Sequence, residues 1–164
     1  EYCDEFVEIG GGEPTIHPLF WQFLGEAMAR CDVWLATNGK MTETALALAG
    51  LAKRCIIDCA LSQDDYHEPI DPRVVEAFTV DRKIASDLKS YDRREIRNVT
   101  GHEVNAGRCD FGEDGCVCPG LFVKPDGRVH LCGCEDAPCI GTVSDGFNVP
   151  ENYNDECWKD TECC

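Results

Sequence analysis

Positive charge is scarce in this chain, with 15 Lys and Arg against 31 Asp and Glu and a formal net charge of −16. A nucleic-acid backbone needs clustered Lys and Arg to displace its counterions, so the charge argues against nucleic acid and no such partner is expected. The one basic stretch, Arg93, Arg94 and Arg97, is short and balanced by nearby acids, and it reads as a solvated helix face. Long apolar runs are also missing: no segment approaches the length that spans a bilayer, and no membrane partner is expected. No secretory signal segment and no internal repeat is visible, and a cytoplasmic location is expected. What the chain has in excess is cysteine, 13 in 164 residues. A secreted disulfide scaffold would use cysteine this densely. Against it stand the odd count, an N-terminal part that reads as an intracellular enzyme core, and Cys-x-Cys pairs poorly suited to bridging one another.

Along the first part of the chain, apolar runs alternate with amphipathic stretches. Phe6-Val7-Glu8-Ile9 predicts a strand that leads directly into Gly10-Gly11-Gly12-Glu13-Pro14-Thr15. Pro18 opens a helix expected over 19–29, with Leu19, Phe20, Phe23, Leu24, Ala27 and Met28 at helical spacing. Val33 to Ala36 predicts a second strand, closed by Thr37-Asn38-Gly39. A second helix is expected over 42–54, carrying Ala45, Leu46, Leu48, Ala49, Leu51 and Ala52, with Thr42 and Glu43 in its first turn. Cys55 to Leu61 predicts a third strand, running into Ser62-Gln63-Asp64-Asp65-Tyr66-His67. Residues 81–92 are charged and helical in pattern, and a short strand is expected over 95–99. Strands this apolar suit a parallel sheet covered by helices, whose C-terminal ends face a common site.

The glycine run holds the strongest local signal. Glycines without Cβ atoms tolerate positive φ and let main-chain N–H and C=O groups approach a small molecule. Glu13 can accept hydrogen bonds from an amine, and Pro14 stiffens the exit. The same run also suits a tight strand-to-helix turn in any α/β protein.

Three strand ends together resemble the radical S-adenosylmethionine (SAM) enzymes, whose core is a partial (β/α) barrel. Gly11-Gly12-Glu13-Pro14 is similar to that family's Gly-Gly-Glu-Pro signature, Thr37-Asn38-Gly39 to its Thr-Asn-Gly, and Ser62-Gln63-Asp64 to its Ser-x-Asp. The resemblance covers about residues 5–78 and implies an α/β fold of partial-barrel type over residues 1–106. It implies that Gly11, Gly12, Glu13 and Pro14 orient the SAM amine, with Asn38, Ser62 and Asp64 toward its carboxylate and ribose. The family's Cys-x3-Cys-x2-Cys loop occurs nowhere in this chain. Cys55 and Cys59 have the first spacing, but Ser62 stands in the third place, and the pair reads as structural thiols on one strand face. The chain opens at Glu1 rather than methionine, and it is expected to be a fragment beginning after the first β/α unit.

A shift in composition near Gly107 marks a smaller Cys-rich unit over residues 107–164. Leu121 to Leu131, with Pro125-Asp126-Gly127 between two alternating arms, predicts a β-hairpin. It would bring Cys116 and Cys118 beside Cys132 and Cys134, with Cys139 close by, so that thiolates converge on a metal centre. The hairpin resembles the start of the auxiliary-cluster domains called SPASM or twitch: Cys116, Gly127 and Cys132 fit the family spacing, Cys118 misses it by one, and Ile140-Gly141-Thr142-Val143 matches the familiar ending. The full SPASM tail is not matched: Cys157 and Cys163 keep one of its gaps, but Asn154 stands for a cysteine. Four-cysteine sets serve zinc as well as iron–sulfur centres, and spacing does not separate the two.

The resemblance implies a radical SAM oxidoreductase. It would use SAM, a [4Fe–4S] cluster whose ligands lie outside this chain, and an auxiliary iron–sulfur cluster. Reductive cleavage of SAM would give a 5′-deoxyadenosyl radical that abstracts hydrogen from a peptide, protein or small-molecule substrate. The electron would come from a low-potential donor such as a flavodoxin or ferredoxin. The competing expectation is a zinc- or iron–sulfur-binding module on a degenerate barrel without catalysis.

Overall fold

A computed structural model describes residues 6–63, 68–80, 92–98, 120–133 and 137–151. The chain divides into two compact units, Glu1–Gly101 and His102–Cys164. The sequence places the change near Gly107, within a stretch outside the described residues.

The first unit holds four parallel strands, β1 (Phe6–Ile9), β2 (Asp32–Thr37), β3 (Asp58–Gln63) and β4 (Arg94–Asn98), in the order β1-β2-β3-β4. Three helices, α1 (Phe20–Met28), α2 (Thr42–Lys53) and α3 (Pro72–Phe78), lie between them in sequence, and a short 3-10 turn covers Pro14–Ile16. The fold is therefore mixed α/β with a parallel sheet flanked by helices; no closed barrel is formed among the described residues.

The core follows from the two periodicities. In α2 the buried residues are Ala45, Leu48, Ala49 and Ala52, one stripe of a 3.6-residue helix. They pack with Phe20 and Leu24 of α1, with Val74 and Phe78 of α3, and with Val33, Leu35, Cys59 and Leu61, which alternate along β2 and β3 and share one sheet face. Glu43 and Lys53 sit in the first and last turns of α2, matching the helix dipole.

Three expectations shift. The third strand begins at Asp58, not Cys55, because the chain first closes α2. Cys55 sits at φ 60°, its N–H donates to Ala52 and that of Ile56 to Leu51, a C-terminal cap of Schellman type usually given to glycine. Cys55 and Cys59 therefore share no strand face. Arg93, Arg94 and Arg97 belong to β4 and its approach rather than to a helix. Helix α3 is too short to be legible from periodicity, although Asp71 caps it through Arg73 N–H and Pro72 fills its first position. Residues 81–91 of the expected charged helix lie outside the described residues.

The second unit contains an antiparallel sheet of β5 (Phe122–Val123), β6 (Arg128–His130), β7 (Cys139–Thr142) and β8 (Gly146–Phe147), in that order. The expected hairpin is β5–β6. Lys124 N–H donates to the Arg128 carbonyl and Gly127 N–H to that of Lys124, while Asp126 accepts from Arg128 N–H at 3.1 Å. Among the described residues no helix is long and apolar enough to cross a membrane.

Candidate functional site

Adjacent parallel strands end on the same edge, so Gly10–Gly12 after β1, Asn38 after β2 and Ser62 near the end of β3 line one rim of the first sheet. Gly11 and Gly12 have φ of 82° and 54°, the left-handed region. Both are exposed, a Cβ on either would meet nothing within 4 Å, and neither makes a main-chain hydrogen bond among the described residues. The loop presents bare backbone to open space.

Glu13 is occupied within the chain. Its Oε1 accepts from Thr15 N–H (3.1 Å), the Thr15 hydroxyl (2.6 Å) and the Thr37 hydroxyl (3.0 Å), and its Oε2 accepts from Asn38 N–H (2.5 Å). It thereby caps the 3-10 turn, in which Pro14 fills the first position, and ties the loop after β1 to the end of β2. Oε2 retains room for one further donor. Thr37, 2% exposed, also accepts from Gly39 N–H at 3.1 Å. Gly39 itself has φ 73°, and a Cβ there would stand 3.0 Å from side chains of both Ile70 and Leu61. The Asn38 side chain accepts from Lys40 N–H, so it serves the turn. Reasoning from sequence misses Thr15 and Thr37; each stands within or next to a motif, yet nothing in the spacing says that their hydroxyls meet one carboxylate.

The sheet face away from the core carries Glu8, Trp34, Ala36, Asp58, Ala60, Ser62, Glu95 and Arg97 by strand alternation and register. Arg93 pairs with Asp58 at 3.1 Å. Arg97, the register partner of Ser62, has its guanidinium 5.4 Å from the Trp34 ring centroid and makes no ion pair among the described residues. A basic stretch expected to be solvated helix thus supplies a cation beside the rim. Arg94 points to the core side instead, bound to Asp92 and to the Ala77 carbonyl. Burial, and after it the nearby Glu13 charge, pushes the Cys59 thiol up to about 12, so it is an inert core group rather than a nucleophile. Asp64 lies outside the described residues.

In the second unit Cys132 is buried and Cys139 exposed, with the Cys139 thiol 3.5 Å from the Gly141 carbonyl. Cys116, Cys118 and Cys134 lie outside the described residues, so the expected convergence of thiolates is not traced. Among the described residues no three metal-ligating side chains come together. His130 is 5% exposed; the sequence gives no reason to single it out, because one histidine in a hairpin carries no signal. No family model, no curated protein and no solved structure matches the chain.

Proposed function

We propose that this chain is the SAM-binding portion of a radical SAM enzyme, with the ligand seated on the C-terminal rim of the parallel sheet. The observation that carries the reading is the Gly11–Gly12 loop: left-handed, exposed, without main-chain partners among the described residues, and open where a side chain would stand. Such a loop fits an ammonium-bearing ligand that must come close to carbonyl oxygens. The remaining acceptor position on Glu13 Oε2 would take a further hydrogen of that ammonium. Because Thr15, Thr37 and Asn38 already hold the carboxylate, the loop need not reorganise on binding, which saves ordering entropy. Arg97, beside Ser62 and over Trp34, would hold the ligand's carboxylate.

When bound with a reduced [4Fe–4S] cluster, SAM supplies a 5′-deoxyadenosyl radical for hydrogen abstraction. The residues of this chain bind and orient; none is an acid or base in the reaction. No Cys-x3-Cys-x2-Cys occurs in the sequence, so the chain by itself is expected to bind SAM weakly and to cleave none.

Saturation-transfer NMR with millimolar SAM tests the reading. The expected result is saturable transfer to the methionyl protons, abolished by Gly12→Val and weakened about tenfold by Arg97→Gln, the loss of one charge-assisted contact. No saturable transfer, or transfer indifferent to Gly12→Val, would reduce the loop to a turn.

A further inference from the structure

His130 closes β6, and its side chain is nearly sealed from solvent at 5% exposure. Its Nδ1 lies 2.7 Å from the Ala137 carbonyl oxygen. A carbonyl only accepts, so Nδ1 carries a hydrogen, and in the neutral ring the lone pair is on Nε2. That Nε2 is buried and has no hydrogen-bond partner among the described residues. An unpaired buried acceptor is costly. Among the described residues of the unit, the buried apolar side chains beside it are Val129, Cys132 and Ala137.

An imidazole held by Nδ1–H to a main-chain carbonyl, with Nε2 bare and turned inward, is prepared to ligate a metal. The carbonyl fixes the tautomer and the ring plane, and the lone pair is the donor. The sequence around it is rich in thiols: Cys132 follows two residues later, itself 2% exposed, and Cys139 is the cross-strand partner of His130. His130, Cys132 and Cys139 do not by themselves form a ligand set. The inference therefore concerns the imidazole, with thiolates of the same unit as its companions.

We propose that His130 Nε2 is a ligand to a divalent transition metal in the Cys-rich unit, giving a mixed imidazole–thiolate centre. Zinc is the metal such a donor set takes most readily, whereas iron–sulfur clusters are usually held by cysteine alone. The bare Nε2 thus separates two alternatives that cysteine spacing leaves equal. The proposal concerns the second unit only and stands or falls independently of SAM binding.

Cobalt(II) titration of the full chain, followed by visible absorbance and competed with zinc, is the test. Wild-type protein should bind one equivalent with the ligand-field bands of a tetrahedral site. His130→Leu fills the same space without a donor and should weaken binding at least tenfold. His130→Cys restores a donor and should recover binding with stronger sulfur-to-cobalt charge transfer. Imidazole nitrogen NMR of the wild-type chain keeps the question open to refutation should His130→Leu not fold: the His130 Nε2 resonance should move on zinc addition. A wild-type chain that takes up neither metal, a His130→Leu protein that binds cobalt as wild type does, or an unmoved Nε2 resonance would each overturn the assignment. So would iron and sulfide giving a cluster whose spectrum is unchanged in His130→Leu.

Discussion

The two sheets have four strands each, yet they are held together differently. The parallel sheet shares with its helices a continuous cluster of thirteen buried side chains, from Phe20 to Phe78. The antiparallel sheet, with strands of two to four residues, buries only Val129, Cys132 and Ala137 among the described apolar side chains, together with His130. Burial drives folding in proportion to area, so the first unit has its own driving force. Among its described residues the second unit shows a much smaller core, and small domains with little core draw stability from cross-links or a metal. Of the described cysteines, Cys59 is a core side chain of the first unit, whereas Cys139 of the second unit is exposed.

The largest effect that would break this comparison is a core deletion. Leu48→Ala removes a fully buried side chain from the centre of the α2 stripe and should cost the first unit about 2 to 5 kcal/mol. Urea unfolding should show that loss at Trp34, while the His130 proton resonances keep their own transition. If both probes shift together, the units are not independently held.

A smaller loss should follow from cutting the carboxylate clamp. Thr37→Val keeps shape but removes the hydroxyl that donates to Glu13 and accepts from Gly39 N–H. Stability should fall by about 1 to 2 kcal/mol, because a buried N–H loses its acceptor. Hydrogen exchange at Gly39 should speed accordingly. Unaltered exchange there would mean that the loop is held without the clamp.

What the sequence discloses tracks the same contrast. The β/α alternation, the helix over 42–53 and the Pro-Asp-Gly hairpin are legible because each rests on local periodicity or turn chemistry. The rim is legible too, since parallel strands joined by helices must end on one edge. The start of β3 is not: apolar Ile56 and Ile57 look like strand, and only the cap formed at Cys55 shows that the chain is still leaving the helix. The four hydrogen bonds to Glu13 join residues up to 25 positions apart, which no spacing rule encodes. The place of Arg97 is hidden because three arginines near acids look alike in sequence, while strand alternation sends Arg94 and Arg97 to opposite faces.

The smallest effect concerns pH and sharpens the division between the two sets of cysteines. Burial first, then the Glu13 charge, raises the folded Cys59 thiol from an ordinary value of 9.0 to about 12. Below pH 9 the thiol is protonated in both folded and unfolded chains, and its contribution is fully present. Between pH 9 and 12 the unfolded chain releases that proton and the folded chain keeps it. The folded state then binds more protons, and stability falls as pH rises, by at most about 1.4 kcal/mol per pH unit. Other groups titrate in the same window, so the quantity to measure is the difference between wild type and Cys59→Val, a substitution that keeps the site apolar and removes the titration. The wild-type protein should lose stability more steeply between about pH 9 and 10.5, and the two curves should run parallel below about pH 8. Iodoacetamide near neutral pH should correspondingly alkylate the exposed Cys139 of the metal-free chain and leave Cys59 unmodified until the first unit unfolds. Equal rates at the two thiols in the folded chain would place Cys59 outside the core and erase the distinction between structural and chemically available cysteines.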